Sequence, residues 1–454
     1  MKVILYMLNY IDNSCYPANL IERWNILLKH LVRFILFFSC VCSVIAADAE
    51  KAPAKPAPMV DQEAYVQMAD FLTVLAIIRS NYVEPEKVTW KNLFNAAIRG
   101  LMQELDPFSN FESPEVHQYS KEDISGKRIG IGVTISKQRR GLEVITVVPG
   151  APAEKAGILP GDLLLQINGE PTDEMDINTA ARKIRGDIGT DVKIQIYRAS
   201  QDLRKEIFVK RDTFRVSTVR GARIIPNSGG VGYIRLLQFG GESVKDFDAA
   251  IKKLCSQKMD SLIIDLRDNP GGLLGVAVDL CSRFIPGGKL VVSVERRGSK
   301  GSSLYSSEKC EKYLDLPLIV LINGNSASAS EIFAACMRDY SRAVLIGERS
   351  FGKGSVQTVI ELGPKSGALR LTTARYFTPG RAVIHGKGVP PDITVAVPVN
   401  LRSRFSYQLN QHPGEIMPLM PQPIRDTALA RAVELLQGMR ILRKAETESK
   451  KGMK

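Results

Sequence analysis

Histidine is scarce in this chain. Only His30, His117, His385 and His412 occur in 454 residues, and none lies near the serine-rich motif described below. A serine nucleophile here could take its base from another residue type, such as a neutral lysine. The seven cysteines include no Cys-x-x-Cys pair. Cys15, Cys40 and Cys42 are N-terminal; Cys255, Cys281, Cys310 and Cys336 are widely spaced, three of them in apolar runs, so buried free thiols are expected, with a disulfide open only in an oxidising compartment. The apolar run Phe34–Ala46 has thirteen residues, short for a membrane span. There are no internal repeats. The net charge of +13 is scattered, with +2 before Ala47 and a mild cluster at Arg440, Arg443, Lys444, Lys450, Lys451 and Lys454. Without a nucleic-acid motif, this reads as solvated surface with some attraction to anionic membranes, not a nucleic-acid site.

The richest stretch is Asn323-Gly324-Asn325-Ser326-Ala327-Ser328-Ala329-Ser330-Glu331. The apolar run Leu316–Ile322 delivers small hydroxyl residues to a turn, and a helical pattern, Glu331–Met337, begins at once. A serine at that junction is exposed as a nucleophile beside helix N-terminal N–H groups. The bland alternative is a capping box, since Ser328-Ala-Ser-Glu331 fits Ser-x-x-Glu; the two roles are compatible. Lys353, in Phe351-Gly352-Lys353-Gly354, is a candidate base if neutral. Its rival reading is a phosphate-binding loop, because Gly347–Lys353 matches the first positions of that motif. Gly354 stands where Ser or Thr must hold magnesium, and Val356–Leu362 alternates as a strand where a helix is required. Ser261–Arg267, Asp268–Gly272 and Leu273–Ile285 read as buried strand, tight turn and helix. The paired Gly271 and Gly272 let backbone N–H groups approach a reacting atom, as an oxyanion hole requires.

Together these segments resemble the carboxy-terminal processing peptidases, serine peptidases with a Ser–Lys dyad and an embedded PDZ domain. The likeness runs from about Tyr65 to about Leu436. It includes Val231–Arg235, Asp265–Leu274, Asn323–Glu331, Gly347–Gln357, Leu369–Pro379 and Gly388–Asp392. It implies Ser328 as nucleophile, Lys353 as base and Gln357 as the residue supporting the dyad, with oxyanion donors from Gly271 or Gly272 and from Ala329. An ordinary lysine titrates near ~10.4, so burial and nearby positive charge must lower it. Gln357 orients the amine without a negative charge that would favour its protonated form. The chemistry so read, an acyl-enzyme hydrolysed by water, requires no metal and no cofactor.

Gly130-Ile131-Gly132-Val133-Thr134-Ile135 opens a strand after a glycine-lightened loop, and lacks the final glycine of a dinucleotide fingerprint. Such a loop binds a C-terminal carboxylate through backbone N–H groups while the strand accepts the peptide. Val148–Gly157 and Pro160–Gly169 resemble the bacterial PDZ subtype. By the same resemblance, Arg185 couples peptide binding to the active site; its plain alternative is a surface arginine.

The expected organisation is multidomain α/β and α+β. Residues 1–46 form a signal peptide or membrane anchor, with Lys29, His30 and Arg33 before the apolar run, and residues 47–60 an Ala/Pro-rich linker. Residues 61–112 form a helical segment and 113–212 the PDZ domain. Residues 213–400 form a peptidase core with a partly parallel sheet, and 401–454 a C-terminal helical tail. In the core, strands are expected at Val231–Leu236, Ser261–Leu266, Leu316–Ile322, Arg342–Gly347 and Leu369–Phe377, and an amphipathic helix at Asp426–Leu442. The resemblance implies an exported enzyme, periplasmic or on the periplasmic side of a bacterial inner membrane. Its partners would be protein or peptide substrates with accessible C-termini, an adaptor protein, and a second copy met through the terminal helices. The competing class is a catalytically silent PDZ scaffold that binds peptides.

Overall fold

A computed structural model of the chain describes residues 62–125, 127–138, 141–298, 302–309, 312–363, 366–410 and 423–452. The expected export segment, the Ala/Pro linker, and Cys15, Cys40, Cys42 and Cys310 lie outside the described residues. Two compact units divide between Trp90 and Lys91.

The first unit holds α1 (Gln62–Asn81) and a short 3-10 turn, Pro85–Val88. Pro85 sits at the start of that turn, where its missing N–H costs nothing. The Arg79 guanidinium lies 5.1 Å from the Trp90 ring. The helical stretch expected from Tyr65 onward is thus broken before α2 (Trp90–Leu105). Core packing does not account for the apolar side of α1: Tyr65, Phe71, Leu72 and Ile78 are exposed, and Leu75 alone is buried.

The second unit opens with α2 from Lys91 onward, followed by β1 (Asn110–Glu112) and α3 (Pro114–Ser125). Then come β2 (Lys127–Gly130), β3 (Val133–Gln138), β4 (Gly141–Val147), α4 (Pro152–Lys155), β5 (Leu163–Ile167), β6 (Glu170–Pro171), α5 (Ile177–Ile184), β7 (Asp191–Arg198), β8 (Leu203–Lys210) and β9 (Asp212–Arg215). Strands β3-β4-β5-β7-β8 make an antiparallel sheet with β3 at its edge. Alternation builds its core: Val192, Ile194 and Ile196 of β7 are fully buried while their neighbours face outward. Asp176 caps α5, accepting from the N–H groups of Asn178 and Thr179.

The remaining elements are β10 (Val219–Ile224), β11 (Val231–Leu236), α6 (Ser243–Ser256), β12 (Ser261–Asp265), α7 (Leu274–Cys281), β13 (Leu290–Arg296), β14 (Ser302–Ser306), β15 (Leu318–Ile322), α8 (Ala329–Asp339), β16 (Val344–Gly347), β17 (Ser355–Gly363), β18 (Gly367–Phe377), β19 (Ile393–Thr394), α9 (Arg402–Asn410) and α10 (Thr427–Gly452). One sheet has the order β10-β11-β12-β15-β16-β19, parallel from β11 onward, with β10 antiparallel at the edge. Every residue of β11, β12 and β15 is buried, because the sheet is covered on both faces. Ile234, Leu262, Ile264 and Val320 pack with Phe247, Phe284 and Phe333 on one side. Val231, Ile263, Ile319 and Leu321 pack with Ala428, Ala432 and Leu436 of α10 on the other. Cys281 and Cys336 are buried free thiols in the first of these layers, whereas Cys255 is exposed, contrary to the expectation for it.

A buried ion cluster anchors α10. Arg267 donates to Asp265 at 2.6 Å and to both carboxylate oxygens of Asp426 at 2.8 and 2.9 Å. Asp426 also accepts the Leu429 N–H at the helix start. Burial raises the Asp265 carboxyl, but the Arg267 charge and hydrogen bonds outweigh that and leave it below its ordinary value. A second sheet has the order β1-β18-β13-β14 with β17 on the other side of β18, and its β17 and β18 share a cleft with the turns that follow β12 and β15. β1 falls in the segment assigned from sequence to the N-terminal helices, yet it pairs with β18 of the core.

Candidate active site

Strand β15 ends at Ile322, and the chain turns through Asn323–Ala327 into α8. Asn323 ties this turn to the one after β12: its Nδ2 donates to Asp268 Oδ1 at 2.8 Å, and its Oδ1 accepts the Asp268 N–H at 2.9 Å. Asn269, fully buried, completes the interlock. Its carbonyl accepts from the Ala327 N–H at 3.0 Å and from Ser330 Oγ at 3.0 Å. Ser326 Oγ donates to the Leu266 carbonyl at 2.8 Å. The outer two hydroxyls of the serine run are therefore spent on structure. Ser328 lines the cleft instead, at φ 56° and ψ −116°, outside the regions a serine ordinarily occupies.

Lys353 lines the same cleft, a cavity of about 490 Å³ that also includes Gly271, Gly272, Ala329, Gln357, Arg370 and Tyr376. The strand β17 follows it directly, so the phosphate-loop reading fails on structure as it did on residue type. The Lys353 amine makes no ion pair among the described residues; it sits 5.1 Å from the centre of the Phe108 ring. That ring face favours an ammonium. Burial and then the Arg370 charge act the other way and lower the lysine, against an upward pull from Asp106 and Glu331. Gln357 donates through Nε2 to Ser355 Oγ at 2.9 Å and Thr372 Oγ1 at 3.2 Å. This leaves Oε1 as the atom able to accept from the amine.

The two candidate glycines differ. The Gly271 N–H is committed to Asn269 Oδ1 at 2.9 Å. Gly272 faces the other way in its short parallel bridge with Phe239, and its N–H, like that of Ala329, makes no hydrogen bond among the described residues. Gly272 and Ala329 are the donors available for an oxyanion. Gly271 has another duty. A Cβ there would lie 2.6 Å from the Ala327 carbonyl and 2.8 Å from Ser328 Cβ, so the turn can approach the serine only as glycine.

Glu331 does more than the capping pattern suggested. Its buried carboxylate accepts the Ser328 N–H at 2.8 Å, the Lys353 N–H at 2.8 Å, the Gly352 N–H at 2.7 Å and the Ser350 hydroxyl at 2.5 Å. Burial raises its carboxyl despite these four donors. Tyr376 mirrors it, its hydroxyl directed to the carbonyls of both Ser328 and Lys353. Neither residue stood out in sequence as functional, since both act on backbone atoms. Also missed was the wall Asp106–Glu112. Phe108 faces Lys353, and Ser109 takes the Thr372 N–H at 3.1 Å beneath Gln357.

The groove over Gly130, Ile131, Gly132 and Val133 is a separate cavity of about 300 Å³. It lies against the open side of β3, with Ala181, Ile184 and Arg185 of the α5 region and Phe214 around it. Gly132 has φ 81°, and a Cβ there would strike Ala151 Cβ at 2.3 Å. Arg185 stands at the groove with its guanidinium 4.3 Å from the Tyr119 ring of α3. Ser120 of α3 borders both groove and cleft.

Replacing Glu331 by Gln puts an NH2 group against at least one backbone N–H donor whichever way the amide turns. Each unsatisfied buried donor costs about 1–3 kcal/mol, so E331Q should lower the thermal midpoint and cut the peptide hydrolysis that the resemblance implies about 10- to 100-fold. A variant with wild-type rate and melting would show that the carboxylate does not hold the two backbones in place.

A family model described as "Peptidase family S41" matches residues 230–395, and one described as "PDZ domain" matches residues 143–198. The chain is 37% identical over 344 residues to a carboxy-terminal-processing protease of Bartonella bacilliformis, spanning 75% of this chain and 77% of that one. It is 32% identical over 383 residues to a probable CtpA-like serine protease of Staphylococcus epidermidis, spanning 84% and 76%. Among solved structures, a photosystem II D1 C-terminal processing protease aligns with a TM-score of 0.41 and 26% identity, covering 74% of this chain and 94% of that chain. Sequence kinship at this level, over three quarters of both chains, places the protein in peptidase family S41, among the carboxy-terminal-processing serine proteases that carry a PDZ domain.

Proposed function

We propose that this peptidase is exported and cleaves proteins near or from their C-terminal tails through a Ser328–Lys353 dyad. The observation that carries this reading is the pairing, in one cleft, of a serine with strained backbone and a half-buried lysine without a carboxylate partner. Lys353 in its neutral form takes the Ser328 proton, and Ser328 Oγ attacks the substrate carbonyl. The Gly272 and Ala329 N–H groups receive the developing negative oxygen. The amine is then released as the lysine returns the proton, and water hydrolyses the acyl-enzyme by the same route. Gln357 holds the amine in line through Oε1.

The second reading, a silent peptide-binding scaffold, is disfavoured by Ser328 itself. A non-glycine residue at φ 56° and ψ −116° costs about 1–3 kcal/mol, which a binding module has no reason to retain. For export, the support is the short apolar run Phe34–Ala46 after basic residues, outside the described residues. No helix among the described residues is long and apolar enough to cross a membrane. Delivery of substrates by an adaptor protein is compatible with the open groove.

The substrate chain end binds in the groove, its carboxylate on the Gly130–Val133 backbone and its strand along β3, which has no neighbour on that side among the described residues. Arg185 at the groove and Ser120 on the shared helix α3 form the link by which an occupied groove reaches the cleft.

Ser328→Ala and Lys353→Ala should be equally inactive in a peptide assay, because the two act as a unit. Lys353→Arg should fail too, since a guanidinium does not become neutral in this range. Lys353 is lowered from its ordinary value, so wild-type activity should climb as pH rises through that lowered midpoint and fall away below it. A chelator should leave the rate unchanged. Substantial hydrolysis by Lys353→Ala would remove the lysine from the mechanism.

Amidating the C-terminus of a model substrate takes away the full negative charge that the groove accepts, and should weaken binding and cleavage together. Equal handling of acid and amide would mean that the groove reads something other than a chain end. Light scattering of the full chain tests the homo-oligomer that the exposed Phe71, Leu72 and Ile78 of α1 support; a monomer at micromolar concentration would refute it.

A further inference from the structure

Arg370 lies on β18, two residues before Thr372, so both side chains stand on one face of the sheet. Thr372 is the cross-strand partner of Gln357, and Arg370 is the partner of Val359; Gln357, Val359 and Arg370 all line the catalytic cleft. The guanidinium is not loose there. It donates through Nε at 2.8 Å and Nη2 at 2.6 Å to Glu112 Oε1. Glu112 is itself buried at the end of β1, where Ser120 Oγ reaches Oε1 at 3.3 Å and His117 Nδ1 lies 3.0 Å from Oε2. Burial raises the Glu112 carboxyl, but hydrogen bonds from His117 and Arg370 together with the Arg370 charge outweigh it and hold it below its usual value. A cation has thus been fixed inside a cleft whose working base is another cation when protonated.

We propose that Arg370 and Glu112 are positioning residues that act through Lys353: the guanidinium, fixed in the same cleft as the amine, opposes a second positive charge there, and Glu112 both braces it and offsets part of its charge. This rests on the Ser328–Lys353 reading above. The groups facing Lys353 are few. Arg370 comes from β18, Asp106 from the loop after α2, Glu331 from α8, and the Phe108 ring lies beside the amine. The two carboxylates favour the ammonium, and among the described residues Arg370 is the charge that opposes it. Around the ion pair itself stand His117 and Ser120 of α3. Beyond them is Glu361 of β17, bound by Lys121 at 2.5 Å and lying 3.4 Å from His117 Nε2.

The two partners must act with opposite sign. Removing the positive charge with Arg370→Gln raises the lysine, so the rising limb of the activity profile moves to higher pH. Removing the negative charge with Glu112→Gln leaves an acceptor oxygen for Arg370 but unmasks its field, so the limb moves to lower pH. For charges of this kind partly screened by solvent, each displacement should be about half a unit to one unit, equivalent to about three- to tenfold in rate at a pH on the limb. Arg370→Lys should restore the wild-type midpoint.

The experiment is a pH–rate series on the full chain with a peptide substrate, run beside the pH dependence of Ser328 phosphonylation by a fluorophosphonate, in which fluoride leaves, counted per folded molecule. The phosphonylation arm reads the same ionisation without peptide binding, and in any variant whose folded fraction is reduced. Opposite shifts for Arg370→Gln and Glu112→Gln in both arms would establish the proposal. Rates that change with no movement of the midpoint, or midpoints that move in the same direction, would overturn it and leave the pair a structural clamp. Failure of the underlying dyad reading looks different: Lys353→Ala would itself remain active.

Discussion

The site is organised around one buried carboxylate. Glu331 accepts the backbone N–H of both Ser328 and Lys353, residues 25 positions apart on different elements. Burying a carboxylate is expensive unless its lone pairs are filled, and here four donors fill them. The cost is what makes the arrangement definite: if either loop shifts, a charged group is left short of partners in an apolar surround. Tyr376 secures the opposite edge by addressing the carbonyls of the same two residues. Serine and lysine are held through their main chains, and their side chains are left free for chemistry.

Everything around that carboxylate serves to bring two turns and a hairpin to it. The parallel strands set the turns after β12 and β15 side by side, at the carboxyl ends where α/β sheets place their sites. Asn269 and Asn323 then lock one turn to the other through main-chain and side-chain atoms. The β17–β18 hairpin carries Gln357 and Arg370 in from the other side, and the loop just before it carries Lys353. On the far face of the sheet, Arg267 fastens α10 through Asp426, so the strand that leads into the Asp268–Gly272 turn is fixed at its back as well.

Much of this was legible in the chain because it is local. Uninterrupted apolar runs such as Ser261–Leu266 and Leu316–Ile322 announce strands covered on both faces, and the small residues after them announce turns. The serine and lysine motifs stood out for the same reason. What sequence could not show was contact across long separations. Nothing near Phe108, Ser109 or Glu112 indicates that they wall the cleft, because their partners Lys353, Thr372 and Arg370 lie some 250 residues away. Gly271 and Gly272 look equivalent on paper; only the bond from Gly271 to Asn269 separates them. The serine run hid its division of labour until Ser326 and Ser330 were seen bound to carbonyls of the neighbouring turn. Glu331 fitted a short-range rule, and that rule captured one of its four bonds.

The open side of β3 has a kinetic meaning. On the proposed reading, the groove recognises a free carboxylate, and every hydrolysed peptide bond manufactures another. The severed tail keeps the original terminus and stays in the groove after the cut, while the shortened protein leaves with a fresh terminus of the same chemical kind. Product therefore competes with substrate for one edge strand. Turnover is then governed by how quickly a short peptide peels from β3, and a trimmed protein can return as substrate until its remaining tail no longer reaches from groove to serine.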